Sequence, residues 1–136
     1  MQEQRSFFQT FIAVTTFLLF VFGLASAGQG AEIIKGQYVS KTATSFVLEI
    51  QVGRPAPANL IVIQRLPPGT AINNASPPPN KYNKRKGVVR WLLRNVRPGS
   101  LQIRLDLQDR VNPGQVRAEI RCKNPVSKKL VTTRVQ

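Results

Sequence analysis

The segments Leu101–Leu107 (LQIRLDL) and Val116–Cys122 (VRAEIRC) decide the fold, because an apolar residue recurs at every second position in both. Side chains of a strand point alternately to its two faces, so this period of two predicts strands with one buried and one solvated face. The preceding pairs Pro98-Gly99 and Pro113-Gly114 are turn signals. Each segment is therefore expected to follow a turn and to cover a core on one side.

The same pattern extends outward from these two segments and ends at Pro- and Gly-rich turns such as Pro67-Pro68-Gly69. No segment after residue 30 has the apolar spacing of a helix with helix caps. About seven short strands separated by turns predict an all-β protein, an antiparallel β-sandwich. Asn73–Gly87, rich in Pro, Asn and Lys, is predicted to be a long surface loop. The other predicted strands are Phe46–Val52, Leu60–Leu66, Val88–Leu93 and, more weakly marked, Glu32–Val39 and Leu130–Val135.

The N-terminal segment has the order of a secretory signal peptide. A polar start with one cation, Arg5, leads into the apolar stretch Phe7–Leu24 and then into Ala25-Ser26-Ala27. This order predicts a signal helix in residues 1–27, cleavage between Ala27 and Gly28, and one domain over residues 28–136. The product is expected in the periplasm or outside the cell, at its surface. The alternative is an uncleaved anchor, which would be the only contact with the membrane.

The charge of the chain is strongly positive, with 20 Lys and Arg against 6 Asp and Glu and a net charge of +14. Such a chain attracts polyanions over a Debye length of about 8 to 10 Å. The candidates are nucleic acid, anionic lipid, acidic polysaccharide and an acidic protein partner. Expected export argues against nucleic acid as the natural ligand and favours an anionic envelope polymer or a protein.

Catalytic chemistry has little support in the sequence. There is no His, so imidazole catalysis is excluded, and a Ser or Cys nucleophile lacks its usual base. The few carboxylates form no predicted dyad, and no metal or cofactor is expected. The single cysteine, Cys122, excludes an internal disulfide. Its apolar neighbours predict a buried thiol, the alternative being an intermolecular disulfide or a reactive thiol.

Basic side chains are the only residues for which the sequence suggests a binding mechanism. One group lies in the Asn73–Gly87 segment, and a second alternates along predicted strands, where Arg side chains on one face would bind phosphate or carboxylate. The alternative is an ordinary solvated face. The candidate anion-binding residues are Lys81, Tyr82, Lys84, Arg85 and Lys86 in the first group and Arg104, Arg117 and Arg121 in the second, which also contains Arg90.

Residues Phe46 to about Lys123 resemble a bacterial conserved-repeat surface domain, the domain of unknown function number eleven. The resemblance follows an ordered set of landmarks, in which Gln51 and Arg65 depart from the Asn-Thr-Gly turn and the Asp that family members usually carry. It implies an exported immunoglobulin-like sandwich with a structural or adhesive role. The landmarks are Val52–Asn59, Leu66–Thr70, Asn74–Pro77, Gly87–Trp91, Val96–Ser100 and Asn112–Val116.

Two functional hypotheses follow. The leading one is an exported, non-catalytic structural or interaction module of the cell envelope or surface. The alternative is a basic module that binds an anionic envelope polymer or another polyanion through residues 81–86 and an Arg-rich sheet face.

Overall fold

The computed structural model describes residues 32–136, and its regular structure is β-strand apart from one 3₁₀ turn at Pro113–Gln115. The predicted signal helix and the cleavage between Ala27 and Gly28 lie outside the described residues. Within residues 32–136, no helix is long and apolar enough to cross a membrane.

Residues 32–136 form nine strands in two antiparallel sheets, which confirms the predicted β-sandwich in its coarse form. Consecutive strands often belong to different sheets, so the chain crosses between the layers. In spatial order, the four-stranded sheet contains β1 (Ile34–Lys41), β2 (Ser45–Val52), β7 (Gly99–Leu107) and β4 (Ile72–Ser76). In spatial order, the five-stranded sheet contains β5 (Lys81–Asn83), β6 (Val88–Arg94), β3 (Asn59–Arg65), β8 (Arg117–Lys123) and β9 (Leu130–Val135).

One apolar cluster joins the inner faces of the two sheets. Trp91 on β6 is fully buried, and its indole Nε1 donates a hydrogen bond to the Pro77 carbonyl oxygen over 2.8 Å. Alternate positions of each central strand are buried, as the period of two predicted. The largest other core side chains include Phe46, Leu48, Ile50, Leu60, Ile103, Leu105 and Ile120.

Three polar side chains are enclosed with this cluster. The amide nitrogen and oxygen of Gln64 and the hydroxyl groups of Tyr38 and Tyr82 are buried, with no hydrogen-bond partner among residues 32–136. Buried polar groups are nearly always hydrogen-bonded, so each of these groups lowers the stability of the fold.

The predicted loop over Asn73–Gly87 is wrong, because this segment contains most of β4 and all of β5. β4 pairs with β7 in one sheet, whereas β5 pairs with β6 in the other. Both are short edge strands, and β4 has a register irregularity between Ile72 and Asn74. Asn is rare in strands and Pro77–Pro79 interrupts the segment, which hid its strand character.

Candidate anion-binding face

The outer surface of the five-stranded sheet carries more basic side chains than the outer surface of the four-stranded sheet. In β3, β6 and β8 the inward positions are apolar apart from Gln64, so the alternate positions point to solvent. The strand registers place the outward residues of neighbouring strands side by side. We call their eight basic members the basic face: Arg65, Lys81, Arg90, Arg94, Arg117, Arg121, Lys123 and Arg134.

Like charges lie directly opposite each other on this face. Arg65 of β3 is the cross-strand partner of Arg117 of β8, and Lys81 of β5 is the partner of Arg90 of β6. Pairs of like charge in such positions destabilise a sheet by about 0.2–1 kcal/mol each. A sequence selected only for stability would favour opposite or uncharged partners at these positions.

Glu119 is the one carboxylate that points outward from this sheet among the described residues. It is the cross-strand partner of Arg134 and accepts a hydrogen bond from the Arg121 Nε group. This hydrogen bond lowers the pKa of Glu119, and the positive charges of Arg121, Arg134 and Arg65 lower it further. Glu119 is therefore ionised at neutral pH and offsets one of the eight positive charges.

The centre of the basic face is apolar. Ile61 and Ile63 of β3 lie between the arginines and are half-buried, as are Val88 and Leu92 of β6. A shallow pocket of about 310 Å³ is lined by Ile63 and Val88 together with surrounding basic side chains. Arginine covers apolar surface with its stem while its guanidinium remains in water, so this floor positions the charged groups at the rim.

The turn between β5 and β6 brings Lys86 to the same pocket. This turn is held in place, since the Lys84 carbonyl oxygen accepts hydrogen bonds from the Gly69 and Gly87 N–H groups over 2.8 and 3.2 Å. Lys84 and Arg85 are exposed in the turn. Lys81 and Lys86 of the predicted basic cluster therefore line the same pocket as the predicted strand residue Arg121, and the cluster is part of a hairpin instead of a long loop.

Two predicted candidates, Tyr82 and Arg104, lie away from both this face and the adjoining turn. Tyr82 is half-buried, lies opposite the buried Val89 and packs against the core, so its ring points away from the basic face. Burial raises the pKa of its hydroxyl, and the negative charge of Asp109 adds to the shift. Arg104 lies on β7 in the four-stranded sheet, so it shares no face with Arg117 and Arg121.

The outer face of the four-stranded sheet is balanced in charge. Arg104 Nε lies 3.2 Å from Asp106 Oδ2, and the Ser45 hydroxyl donates to Asp106 over 2.7 Å. The Ser45 hydrogen bond is the main cause of the lowered pKa of Asp106, with Arg104 adding to it. Glu49 accepts hydrogen bonds from the amides of three glutamines, Gln37, Gln51 and Gln102.

The sequence interpretation named Arg117 and Arg121 but left Arg65, Arg94, Lys123 and Arg134 out of the candidate set. The alternation that predicted the strands contains the missing signal, because Arg65 continues the outward series of Ile61 and Ile63. The strand order determines which strands are neighbours in a sheet, and no local pattern of the sequence reveals that order.

Other chemistry is sparse in the described part of the chain. No group of three or more His, Cys, Asp and Glu side chains there is arranged to hold a metal ion. Cys122 is a buried free thiol, as its apolar neighbours predicted, and burial raises its pKa. A thiol with a raised pKa forms little of the nucleophilic thiolate.

No family model, curated protein or solved structure matches this chain.

Proposed function

We propose that this protein is an exported, non-catalytic interaction module that binds a polyanion through the basic face. The observation that carries the proposal is the contrast between the two outer faces. Eight basic side chains and one carboxylate point outward from the five-stranded sheet, whereas acids and bases are matched on the four-stranded sheet. A charge needed only for solubility would be expected on the outer faces of both sheets alike.

The cost of this arrangement to the fold supports a role in binding. The like-charged pairs Arg65–Arg117 and Lys81–Arg90 oppose folding, yet both lie at the basic face. Local features that lower stability are expected at functional sites, where a ligand compensates for them. A polyanion placed across these strands would turn the repulsion into attraction to the ligand.

The shape and chemistry of the face favour an extended ligand. The positive charges span five neighbouring strands, which are spaced about 4.8 Å apart, and the pockets between them are shallow. Guanidinium groups form paired hydrogen bonds with phosphate and carboxylate groups. An anionic envelope polymer, with many such groups along one chain, fits this surface, and the expected export argues against nucleic acid.

The immunoglobulin-like class is part of this proposal, and the strand order supports it. The spatial order of β1, β2, β7 and β4 is that of strands A, B, E and D in such a domain, and the order of β3, β8 and β9 is that of C, F and G. Strands β6 and β5 extend the second sheet beyond C. The resemblance to the conserved-repeat surface domain agrees with this class and with a location at the cell envelope or surface.

The test is elution from a dextran sulfate column by increasing salt. Arg65→Gln with Arg117→Gln removes two charges from the basic face, and Lys35→Gln with Arg104→Gln removes two from the four-stranded sheet. We expect the first variant to elute at clearly lower salt than the second, because only the first loses charges from the binding face. The two variants have equal net charge, so total charge cannot cause the difference. Equal elution of the two variants would show that retention depends on total charge and would refute the proposed face.

A further inference from the structure

The hairpin that joins β8 to β9 exposes two large apolar side chains at one end of the molecule. Val126 is 74% exposed and Leu130 is 72% exposed. Among the described residues, the remaining exposed large hydrophobic residue is Val39, at 49%, on edge strand β1 of the other sheet. Val126 and Leu130 lie four positions apart in this hairpin, and we call them the apolar tip.

The tip has a fixed conformation. The Asn124 side-chain oxygen accepts hydrogen bonds from the Val126 and Ser127 N–H groups over 2.8 and 3.0 Å. The Asn124 backbone N–H donates to the Lys129 carbonyl oxygen, and the Lys128 N–H donates to the Asn124 carbonyl oxygen. These bonds close the turn upon itself, so the exposure of Val126 is built into the hairpin.

The apolar tip is surrounded by positive charge. Lys123, Lys128 and Lys129 lie in or next to the turn, and residues 120–136 contain no Asp or Glu. A groove of about 650 Å³ joins the hairpin to the basic face, with Ile61 and Leu130 among its apolar lining residues and Lys123 and Lys128 among its charged ones. Leu130 of the apolar tip thus shares one groove with Arg121 and Lys123 of the basic face.

We infer that the hairpin docks on the surface of an anionic lipid bilayer, with Val126 and Leu130 entering the interface and the lysines contacting lipid phosphates. This inference goes beyond the proposed function, since it gives the hairpin a lipid partner of its own beside the polymer that the basic face binds. A soluble polymer offers nothing to exposed Val and Leu side chains, whereas a bilayer interface buries apolar groups and attracts nearby cations together. The combination of an apolar tip with a basic surround therefore favours a lipid surface as the partner.

The first test places a reporter at the tip. Val126→Trp is compared with Val39→Trp, and both are made in the full chain so that all proteins carry the same N-terminal segment. The native Trp91 is fully buried and gives a constant background. With vesicles of phosphatidylcholine and phosphatidylglycerol, we expect the emission of the Val126→Trp variant to shift to shorter wavelength. Pure phosphatidylcholine vesicles and the Val39→Trp variant should give no shift.

The second test measures vesicle partitioning and separates the two proposals. Val126→Gln with Leu130→Gln should weaken partitioning at least about tenfold, because apolar burial is lost. Lys128→Gln with Lys129→Gln should weaken it roughly thirtyfold, at about 1 kcal/mol for each cation near the surface. Elution of the Val126→Gln, Leu130→Gln variant from dextran sulfate should be unchanged, because its charge is unchanged.

The outcomes are distinct for the two proposals. An unshifted Val126→Trp emission in vesicle-bound protein, or unchanged partitioning of the apolar double variant, overturns the lipid-docking inference and leaves the basic face standing. If Arg65→Gln with Arg117→Gln elutes with its matched control, the proposed function fails, whatever the tryptophan reports. If the hairpin docks on a protein instead, the Val126→Trp emission will not shift when vesicles are added, and that result would count against the inference.

Discussion

Replacing Gln64 by methionine should stabilise this protein. Gln64 lies on β3 at an inward position, is fully buried, and has neither its amide nitrogen nor its amide oxygen paired within residues 32–136. Methionine has the same unbranched length and no polar group to desolvate, so it fills the site without strain. The substitution therefore isolates the cost of burying an unpaired amide.

The expected gain is about 1–3 kcal/mol, which is the usual penalty for a buried polar group without a partner. For a domain of this size, each 1 kcal/mol corresponds to a rise of about 4–8 °C in the melting temperature. A matched control is Gln108→Met, because Gln108 is exposed just after β7. A surface change of that kind should alter stability by less than about 0.5 kcal/mol.

The assay is equilibrium unfolding in urea, followed through the fluorescence of Trp91. This residue is buried in the same sandwich and lies on β6, which pairs with β3. The midpoint for Gln64→Met should rise with an unchanged denaturant slope. A lower midpoint for this variant would refute the reasoning, because it would mean that the amide has a hydrogen-bond partner in the folded core, such as a bound water.

Three further predictions concern stability. Tyr38→Phe removes a buried hydroxyl without a partner and should raise the free energy of unfolding by about 1 kcal/mol in the urea assay; a loss would contradict the burial of an unpaired group. Gly87→Ala should lower the melting temperature more than Gly69→Ala. Both glycines have positive φ, at 67° and 83°, but only at Gly87 would the new Cβ overlap the Leu66 carbonyl oxygen. The pKa of Asp106 is lowered in the folded protein, so the ionised carboxylate contributes fully to stability above about pH 4, and this contribution is lost as the pH falls further. Asp106→Asn should therefore make the urea midpoint less sensitive to acid. An acid sensitivity equal to that of the unchanged protein would argue against the lowered pKa.

Much of the fold was predictable because burial imposes a period of two on each strand. The predicted segments Leu60–Leu66 and Val88–Leu93 differ from β3 and β6 by about one residue at an end, and Leu130–Val135 coincides with β9. In these strands one face packs into the core, so the identity of alternate residues is strongly constrained. Both strands that were missed, β4 and β5, lie at sheet edges, where fewer neighbours constrain the sequence.

The candidate site was predictable only in part, because a face is defined by strands that are distant in sequence. Arg104 and Arg117 occupy equivalent outward positions in two alternating segments, and no local pattern assigns them to different sheets. Arg65 and Arg117 are 52 positions apart but become cross-strand partners through the pairing of β3 with β8. The sequence thus predicts which residues point outward, whereas the strand order determines which of them are neighbours.

The central claim is that polyanion binding occurs on the five-stranded sheet and not across the whole basic surface. The most direct measurement is an NMR titration of the arginine Nε–H signals with inorganic polyphosphate at physiological salt. Signals of Arg65, Arg90 and Arg117 should move together and saturate at the same polyphosphate concentration, while the Arg104 signal on the opposite sheet stays in place. Shifts of similar size at Arg104 and at the other three arginines would contradict a defined binding face.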